Sequence, residues 1–139
     1  MRFVKMHGAG NDYVLLDARD METDWSTLAK SMCNRHTSVG AAGILLVLPS
    51  ASADVRMRMF NPDGSEAEMC GNGIRCLAKY VLDRGIVQME KATLDVETMT
   101  GTRALEPIWH AGRLSRARVA MGEPELRSER IPVALSEDI

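Results

Sequence analysis

The pattern of apolar and polar positions along the chain predicts a domain in which strands outnumber helices. Between residues 54 and 60, apolar side chains alternate with Arg56 and Arg58, which is typical of a strand with one buried face. The uninterrupted apolar run Ile44–Leu48 has the length of a buried strand and ends at Pro49. Further strands are predicted around residues 3–6, 12–17, 92–98, 103–105 and 114–121.

Two segments are predicted to be helices. A helix is predicted over residues 72–84, because its apolar residues recur at intervals of three and four and form one stripe. The residues of this stripe are Ile74, Leu77, Ala78 and Val81. Ser26 is the predicted N-cap of a shorter helix that ends near Asn34. This order of elements predicts an α+β fold rather than a regular alternation of helices and parallel strands.

The composition is that of a globular domain, with 45% hydrophobic and 26% charged residues. A net charge of −2 provides no basic excess, so neither nucleic acid nor a membrane is an expected partner. No apolar stretch approaches the roughly 18 residues of a membrane-spanning helix, and the N-terminus lacks the apolar core of a signal peptide. Three cysteines do not suit a disulfide framework, so a cytoplasmic location is expected.

The most unusual segment spans residues 61–76 and has the sequence NPDGSEAEMCGNGIRC. Here Cys70 and two glycines open the predicted helix, whose first turn has free N–H groups and the positive end of the helix dipole. Gly71 and Gly73 would let an anion approach those N–H groups closely. The same surroundings favour a thiolate, which is the better base or nucleophile. The segment therefore predicts a cradle for a carboxylate or phosphate beside a reactive sulfur.

A structural interpretation of this segment stays open, with Cys70 as a small core residue and residues 71–73 as an ordinary loop. Cys33 and Cys76 are assigned structural roles, because one lies near the end of a helix and the other inside one. No cysteine or histidine pair has the spacing of zinc ligands, so no metal is expected. No Lys-Ser or Lys-Thr pair follows the glycines, which argues against a P-loop.

A second polar cluster, KMHGAGND, occupies residues 5–12. Asn11 has two interpretations: it suits a tight turn beside Gly10, and its amide could also orient a polar substrate in a pocket. Asp12 could cap neighbouring backbone groups. The residues alone do not decide between these roles.

Three stretches of the chain resemble the diaminopimelate epimerase family: MHGAGNDY at residues 6–13, NRH at 34–36 and FNPDGSEAEMCGNGIRC at 60–76. Members of this family are cofactor-independent amino-acid epimerases with two pseudo-symmetric domains. The resemblance implies a curled, mainly antiparallel sheet around a central helix for residues 1–115. It assigns residues 116–139 to a linker or to the start of a second domain, which this chain lacks.

The resemblance also implies a reaction, the interconversion of LL- and meso-2,6-diaminopimelate for lysine and peptidoglycan precursor biosynthesis. In the family, two cysteines on opposite sides of the substrate Cα exchange the roles of thiolate base and thiol acid, and no cofactor takes part. Cys70 matches the first cysteine. Gly71 and Asn72 match the main-chain donors to the substrate α-carboxylate, while Asn11 and Asn61 match substrate-contacting amides.

The chain departs from the family pattern at two positions and in length. Ser38 stands where a glycine is usual, and Ala42 stands where an aspartate is expected. The second cysteine belongs to the half of the family's sequence that is absent here, so the chain alone is expected to be inactive. Two other functions stay open. One is a racemase or isomerase for another small acid, and the other is a non-catalytic binding or assembly domain.

The alternative function as a binding or assembly domain depends on the surfaces that the absent half would cover in a complete family member. Without it, one face of the cleft is expected to be open and apolar, and one edge strand is expected to lack its neighbour. Both features favour self-association, including formation of a homodimer.

Overall fold

The computed structural model describes residues 1–131 of the chain. Its strands and helices, in chain order, are β1 (Val4–Gly8), β2 (Asn11–Asp17), α1 (Trp25–Met32), β3 (Ile44–Leu48), β4 (Val55–Phe60), β5 (Glu66–Ala67), α2 (Gly71–Asp83), β6 (Leu94–Thr98), β7 (Gly101–His110) and β8 (Arg113–Val119). Residues 132–139, which belong to the segment assigned to a second domain, lie outside the described residues.

The strands form one eight-stranded sheet in the order β1-β2-β3-β4-β6-β7-β8, with β5 paired to β4. β2 pairs with β3, and β4 with β6, in parallel, whereas the other neighbours are antiparallel. The sheet curls around α2, which packs against β1, β2 and β3 near one end of the strand order and against β8 at the other. The α+β prediction of a curled, mainly antiparallel sheet around a central helix is confirmed.

β2 and β3 are buried on both faces, which explains their nearly continuous apolar sequences. One set of their side chains faces α2 and joins the inner core: Tyr13, Leu15, Leu45 and Val47. The alternate set faces α1 and joins an outer core: Val14, Leu16, Ile44 and Leu46. The predicted apolar stripe of α2 is buried in the inner core. The alternating side chains of β2 and β3 therefore contribute to both the inner core and the outer core.

The N-cap of α1 differs from the prediction. Asp24, not Ser26, is the N-cap residue, and its carboxylate accepts hydrogen bonds from the N–H of Thr27 (3.0 Å) and from the hydroxyl of Thr27 (2.7 Å). The prediction of Ser26 is wrong because buried Trp25 already belongs to the apolar face of the helix, so the helix begins before residue 26.

β7 is much longer than the predicted strand at residues 103–105 and contains Pro107. Proline normally interrupts a sheet because it has no N–H to donate. β6 pairs with β7 only as far as Leu105, and beyond that residue β7 pairs with β8 alone. Pro107 therefore lies where the strand has a neighbour on one side only, which is a position that tolerates a missing N–H.

β1 and β8 form the two ends of the sheet. Between them lies a groove of about 420 Å³ whose lining includes Met6 and Gly8 of β1, Arg75 and Lys79 of α2, and Leu114 of β8. The groove gives access to the side of α2 that the sheet does not cover.

The predicted domain boundary, between residues 115 and 116, falls inside β8, which runs without interruption from Arg113 to Val119. The division into domains stays a prediction. Among residues 1–131, no helix has the length and apolar character required to cross a membrane.

Candidate active site at the start of helix α2

Cys70 lies at the beginning of α2, where the sequence places it. Its backbone is extended (φ −137°, ψ 120°), it is the N-cap residue, and its side chain caps no backbone group. The N–H of Ile74 donates to the carbonyl of Cys70 (2.9 Å) and closes the first turn. The N–H groups of residues 71–73 therefore have no acceptor within the helix, and together with the helix dipole they form a positive site beside the sulfur.

The two glycines of this first turn have different surroundings. Gly73 is buried against β3, and a Cβ atom there would lie 3.1 Å from Leu45 Cδ2. Gly71 is half-buried, and a Cβ atom there would only meet Met121 Sδ at 3.5 Å, an ordinary contact. Gly73 therefore allows α2 to pack closely on the sheet, whereas Gly71 keeps the first-turn N–H groups accessible.

Gly8 also brings the sheet close to this turn. A Cβ atom at Gly8 would lie 2.8 Å from the main-chain oxygen of Asn72, too close for the two backbones to keep their positions. The end of β1 can therefore lie against the first turn of α2 only because residue 8 has no side chain.

Two side chains from β2 contact the sulfur of Cys70. Tyr13 Oη lies 2.9 Å from Cys70 Sγ. Asn11 Nδ2 lies 3.9 Å from the same sulfur and donates a hydrogen bond to Tyr13 Oη. Asn11 and Tyr13 are two residues apart, so they share the face of β2 that is turned toward α2. Burial, followed by the hydrogen bond with Cys70, raises the pKa of Tyr13 well above its usual range, so the phenol keeps its proton.

The second predicted substrate amide, Asn61, lies at the same end of the sheet as Asn11. The registers of β2, β3 and β4 place the start of β2 and the end of β4 together, and Asn61 directly follows β4. Asn61 Nδ2 donates to Ser65 Oγ (3.0 Å) within its own turn. Of the two asparagines, Asn11 is therefore the one that the structure places in contact with Cys70.

The side chain of Asn72 is held by the helix itself. Its Oδ1 accepts a hydrogen bond from the guanidinium of Arg75, one turn further along α2. This contact directs the side chain along the helix, so the group that Asn72 offers at the helix start is its main-chain N–H.

Asp12, at the start of β2, binds the segment of residues 35–42 that precedes β3. Its carboxylate forms a two-bond ion pair with Arg35 (2.9 and 2.6 Å), lies 3.3 Å from Lys5 Nζ, and accepts the N–H of Ala42 (3.2 Å). The hydrogen bond from Arg35, helped by Lys5, outweighs partial burial and holds the pKa of Asp12 far below its usual range. Asp12 thus caps a backbone group, the N–H of Ala42.

The other two cysteines are buried, as expected for structural residues. Burial raises the pKa of both the Cys33 and Cys76 thiols, and all three cysteines are free of disulfides. Over residues 1–131, no three His, Cys, Asp or Glu side chains are arranged to hold a metal ion.

Neither Tyr13 nor Arg75 is among the site residues predicted from the sequence. The signal available for Tyr13 was its spacing, because it lies two positions after Asn11 on a predicted strand and carries a polar atom at the end of a buried ring. For Arg75 the signal was its position three residues after Asn72 on a helix, where side chains meet.

The fold is shared with an epimerase and with a phenazine biosynthesis protein of known structure. A hydroxyproline epimerase from Agrobacterium vitis superposes with a TM-score of 0.66 and 14% identity, over 84% of this chain and 40% of that one. A phenazine biosynthesis protein of the PhzF family from Bacillus anthracis gives a TM-score of 0.61 and 27% identity, over 81% and 38%. The first likeness, at this low identity, establishes the fold alone.

Sequence comparison identifies the family. A family model described as diaminopimelate epimerase matches residues 3–127. A diaminopimelate epimerase from Pelotomaculum thermopropionicum is 51% identical over 136 residues, which cover 96% of this chain and 48% of the relative. The enzyme of that name from Acetivibrio thermocellus is 47% identical over 140 residues, 100% of this chain and 49% of the relative. The chain belongs to the diaminopimelate epimerase family and spans about half the length of these curated relatives.

Proposed function

We propose that this chain forms one half of the active site of an epimerase that interconverts LL- and meso-2,6-diaminopimelate. Cys70 would be one of the two groups that move the proton at the substrate Cα. The observation that carries the proposal is the position of the Cys70 sulfur at the N-cap of α2, beside three N–H groups without an acceptor in the helix. The relatives' name supplies the substrate, and with it a place in lysine and peptidoglycan precursor synthesis in the cytoplasm.

The start of α2 suits the carboxylate of an amino acid. The main-chain N–H groups of Gly71 and Asn72 would bind the α-carboxylate, since both lie in the first turn and Gly71 presents no side chain. A Cα–H bond is a very weak acid, and removing its proton moves negative charge onto the carboxylate. Donors that are already aimed at that carboxylate stabilise the charge without reorganisation during the reaction.

The proton transfers balance between two groups on opposite faces of the substrate. In one direction the Cys70 thiolate takes the Cα proton, so the C–H bond breaks, its electron pair stays on the substrate and an S–H bond forms. An acid on the opposite face then donates a proton to the carbon, which inverts its configuration. In the other direction the Cys70 thiol donates. The scheme needs no cofactor, and the opposing cysteine would come from the half of the relatives that this chain does not span.

Asn11 and Asn61 would contact the polar groups of the substrate. Asn11 Nδ2 lies 3.9 Å from Cys70 Sγ, so its amide can reach a molecule bound against the sulfur. Asn61 would exchange its hydrogen bond with Ser65 for one with the substrate.

A fusion enzyme tests the role of Cys70. Residues 1–121 would be joined to the second half of the Acetivibrio thermocellus relative, and conversion of the LL isomer to the meso isomer would be measured. We expect Cys70→Ala to lower the rate roughly 10²–10⁴-fold, the usual contribution of a positioned acid or base. Cys33→Ala is the matched control and should stay active, because Cys33 is buried in the outer core. Retained activity in Cys70→Ala would remove Cys70 from the mechanism.

The isolated chain of 139 residues is expected to be inactive in the same assay. It offers only one of the two opposed groups, so the carbanion would have no acid on its other face. Enzyme-like conversion by the purified chain would contradict the two-half arrangement.

A racemase of another small amino acid is the second candidate, because the main-chain donors at the start of α2 would bind the α-carboxylate of any amino acid. Offering the fusion enzyme proline, hydroxyproline and diaminopimelate would separate the two candidates. Turnover of proline or hydroxyproline in preference to diaminopimelate would favour the second.

A further inference from the structure

We propose that Tyr13 is a positioning residue for Cys70, and that its hydroxyl donates a hydrogen bond to the sulfur and stabilises the thiolate. The catalytic meaning of this contact rests on the proposed function, because only that reaction requires a thiolate at position 70. The contact itself belongs to this chain and can be tested without any substrate.

The ring of Tyr13 is fixed in place. It is fully buried (0% exposed) in the inner core, with Leu45 and Ile74 in the same cluster, from the two elements that flank the site. Its hydroxyl reaches the first turn of α2 and ends 2.9 Å from Cys70 Sγ. The oxygen is therefore held near the sulfur by core packing, which a mobile surface side chain could not achieve.

The direction of the hydrogen bond follows from the donors and acceptors. The hydroxyl carries one proton and has two polar partners, Asn11 Nδ2 and Cys70 Sγ. The amide nitrogen of Asn11 can only donate, so the tyrosine oxygen is the acceptor in that bond. The proton of Tyr13 is then directed at the sulfur. Asn11 thus orients the phenol, and the phenol acts on Cys70.

Such a bond favours the charged form of the sulfur. A hydrogen bond to an ionised acceptor is about twice as strong as one to a neutral acceptor, so it stabilises a thiolate more than a thiol. Tyr13 keeps its own proton, because burial raises the pKa of the phenol. The proton from the substrate Cα would therefore go to the sulfur, and the O–H bond of Tyr13 would stay intact throughout.

The test is alkylation of Cys70 by iodoacetamide across a range of pH, in the purified chain and in Tyr13→Phe. Iodoacetamide reacts with the thiolate, so the rate follows its population. Tryptic digestion releases residues 59–75 as one peptide in which Cys70 is the sole cysteine, so mass spectrometry reports this thiol separately. We expect the midpoint of the rate-against-pH curve to rise in Tyr13→Phe, because the loss of a hydrogen bond to a charged acceptor makes alkylation below the midpoint roughly tenfold slower.

Tyr80→Phe is the matched control. Tyr80 is the other of the two tyrosines in the chain, and its ring contacts Arg84 near the far end of α2. Removing its hydroxyl is the same chemical change, and the midpoint should stay where it is. An unshifted midpoint in folded Tyr13→Phe, or an equal shift in Tyr80→Phe, would overturn the proposal.

A second measurement does not depend on how well Tyr13→Phe folds. In the Tyr80→Phe background, 3-fluorotyrosine can be incorporated at position 13 alone. It has nearly the same shape but is a more acidic phenol and a stronger donor, so the midpoint should move down. A midpoint that stays or rises would count against the hydrogen bond.

The alkylation result is independent of epimerase activity. If Tyr13→Phe shifts the midpoint but the fusion enzyme converts no diaminopimelate, the proposed function fails and the role of Tyr13 at the sulfur stands. If the fusion enzyme is active and Tyr13→Phe leaves both the alkylation midpoint and the pH profile of kcat/KM unchanged, the role of Tyr13 fails alone.

Discussion

The helices α1 and α2 begin in different ways. At the start of α1, the carboxylate of Asp24 accepts the N–H and the hydroxyl of Thr27, so the chain itself occupies one of its first-turn N–H donors. At the start of α2, Cys70 occupies the same N-cap position but makes no capping hydrogen bond. A side-chain cap stabilises a helix, and an uncapped first turn keeps its donors available to a ligand. The comparison therefore supports the start of α2, rather than that of α1, as the proposed binding site.

The glycines near the starts of α1 and α2 also differ in how much space surrounds them. Gly64 follows β4, and a Cβ atom there would lie 2.5 Å from Ser26 Oγ, because the turn packs tightly onto α1. Gly71, in the first turn of α2, has open space except for the side chain of Met121. The turn that contains Gly64 packs closely on the start of α1, whereas the absence of a side chain at Gly71 leaves the start of α2 exposed.

Cys70→Asp should have the largest effect, because it gives α2 the cap that α1 has. The new carboxylate would accept a first-turn N–H and raise the free energy of unfolding by about 1 kcal/mol. It would also occupy the proposed carboxylate site and remove the thiol, so the fusion enzyme should lose roughly 10²–10⁴-fold in rate. Urea unfolding and the epimerase assay measure the two changes. A variant that is no more stable than Cys70→Ala would contradict the view of this turn as uncapped.

Gly8→Ala should have the next largest effect. Its Cβ would lie 2.8 Å from the main-chain oxygen of Asn72, so β1 or the start of α2 must shift. We expect the free energy of unfolding to fall by about 1–3 kcal/mol, as in other overpacked sites. Gly71→Ala is the matched control, since its Cβ has room, and should stay within about 0.5 kcal/mol of the original chain. Equal losses in the two variants would contradict the close approach of β1.

Asp12→Asn should have the smallest effect, and the effect should depend on pH. Asp12 joins Arg35, just after α1, to the strand that carries Tyr13. Its pKa is lowered in the folded chain, so its contribution to stability is present above its unfolded pKa of about 3.9 and is lost as the pH falls. The original chain should therefore lose more stability between pH 7 and pH 3 than Asp12→Asn does. Urea unfolding at both values checks this, and identical losses would contradict it.

Local patterns in the sequence were enough to predict α2 and β3. The apolar stripe through Ile74 and Val81 predicts residues 72–84, and the helix spans Gly71–Asp83. The continuous run of β3 predicts burial, and the strand is buried from both sides. These elements could be predicted because their own residues determine both their type and their burial.

Contacts between distant segments could not be predicted in this way. Tyr13 and Cys70 are separated by 57 positions and meet only through the way β2 packs on α2. The length of β7 depends on β8, which supplies its partner residues beyond Leu105. The position of Cys70 at a helix start was predictable from the glycines that follow it, but the phenol beside its sulfur was not.

The burial of β2 on both faces has a consequence for the amide protons of this strand. Leu15 and Leu16 face different cores, so neither core can open without exposing the backbone that both share. Hydrogen exchange in β2 should therefore require unfolding of the whole domain. Because Asn11 and Tyr13 belong to this strand, we expect the groups beside the sulfur to be held in place by the slowest-exchanging backbone before any ligand arrives.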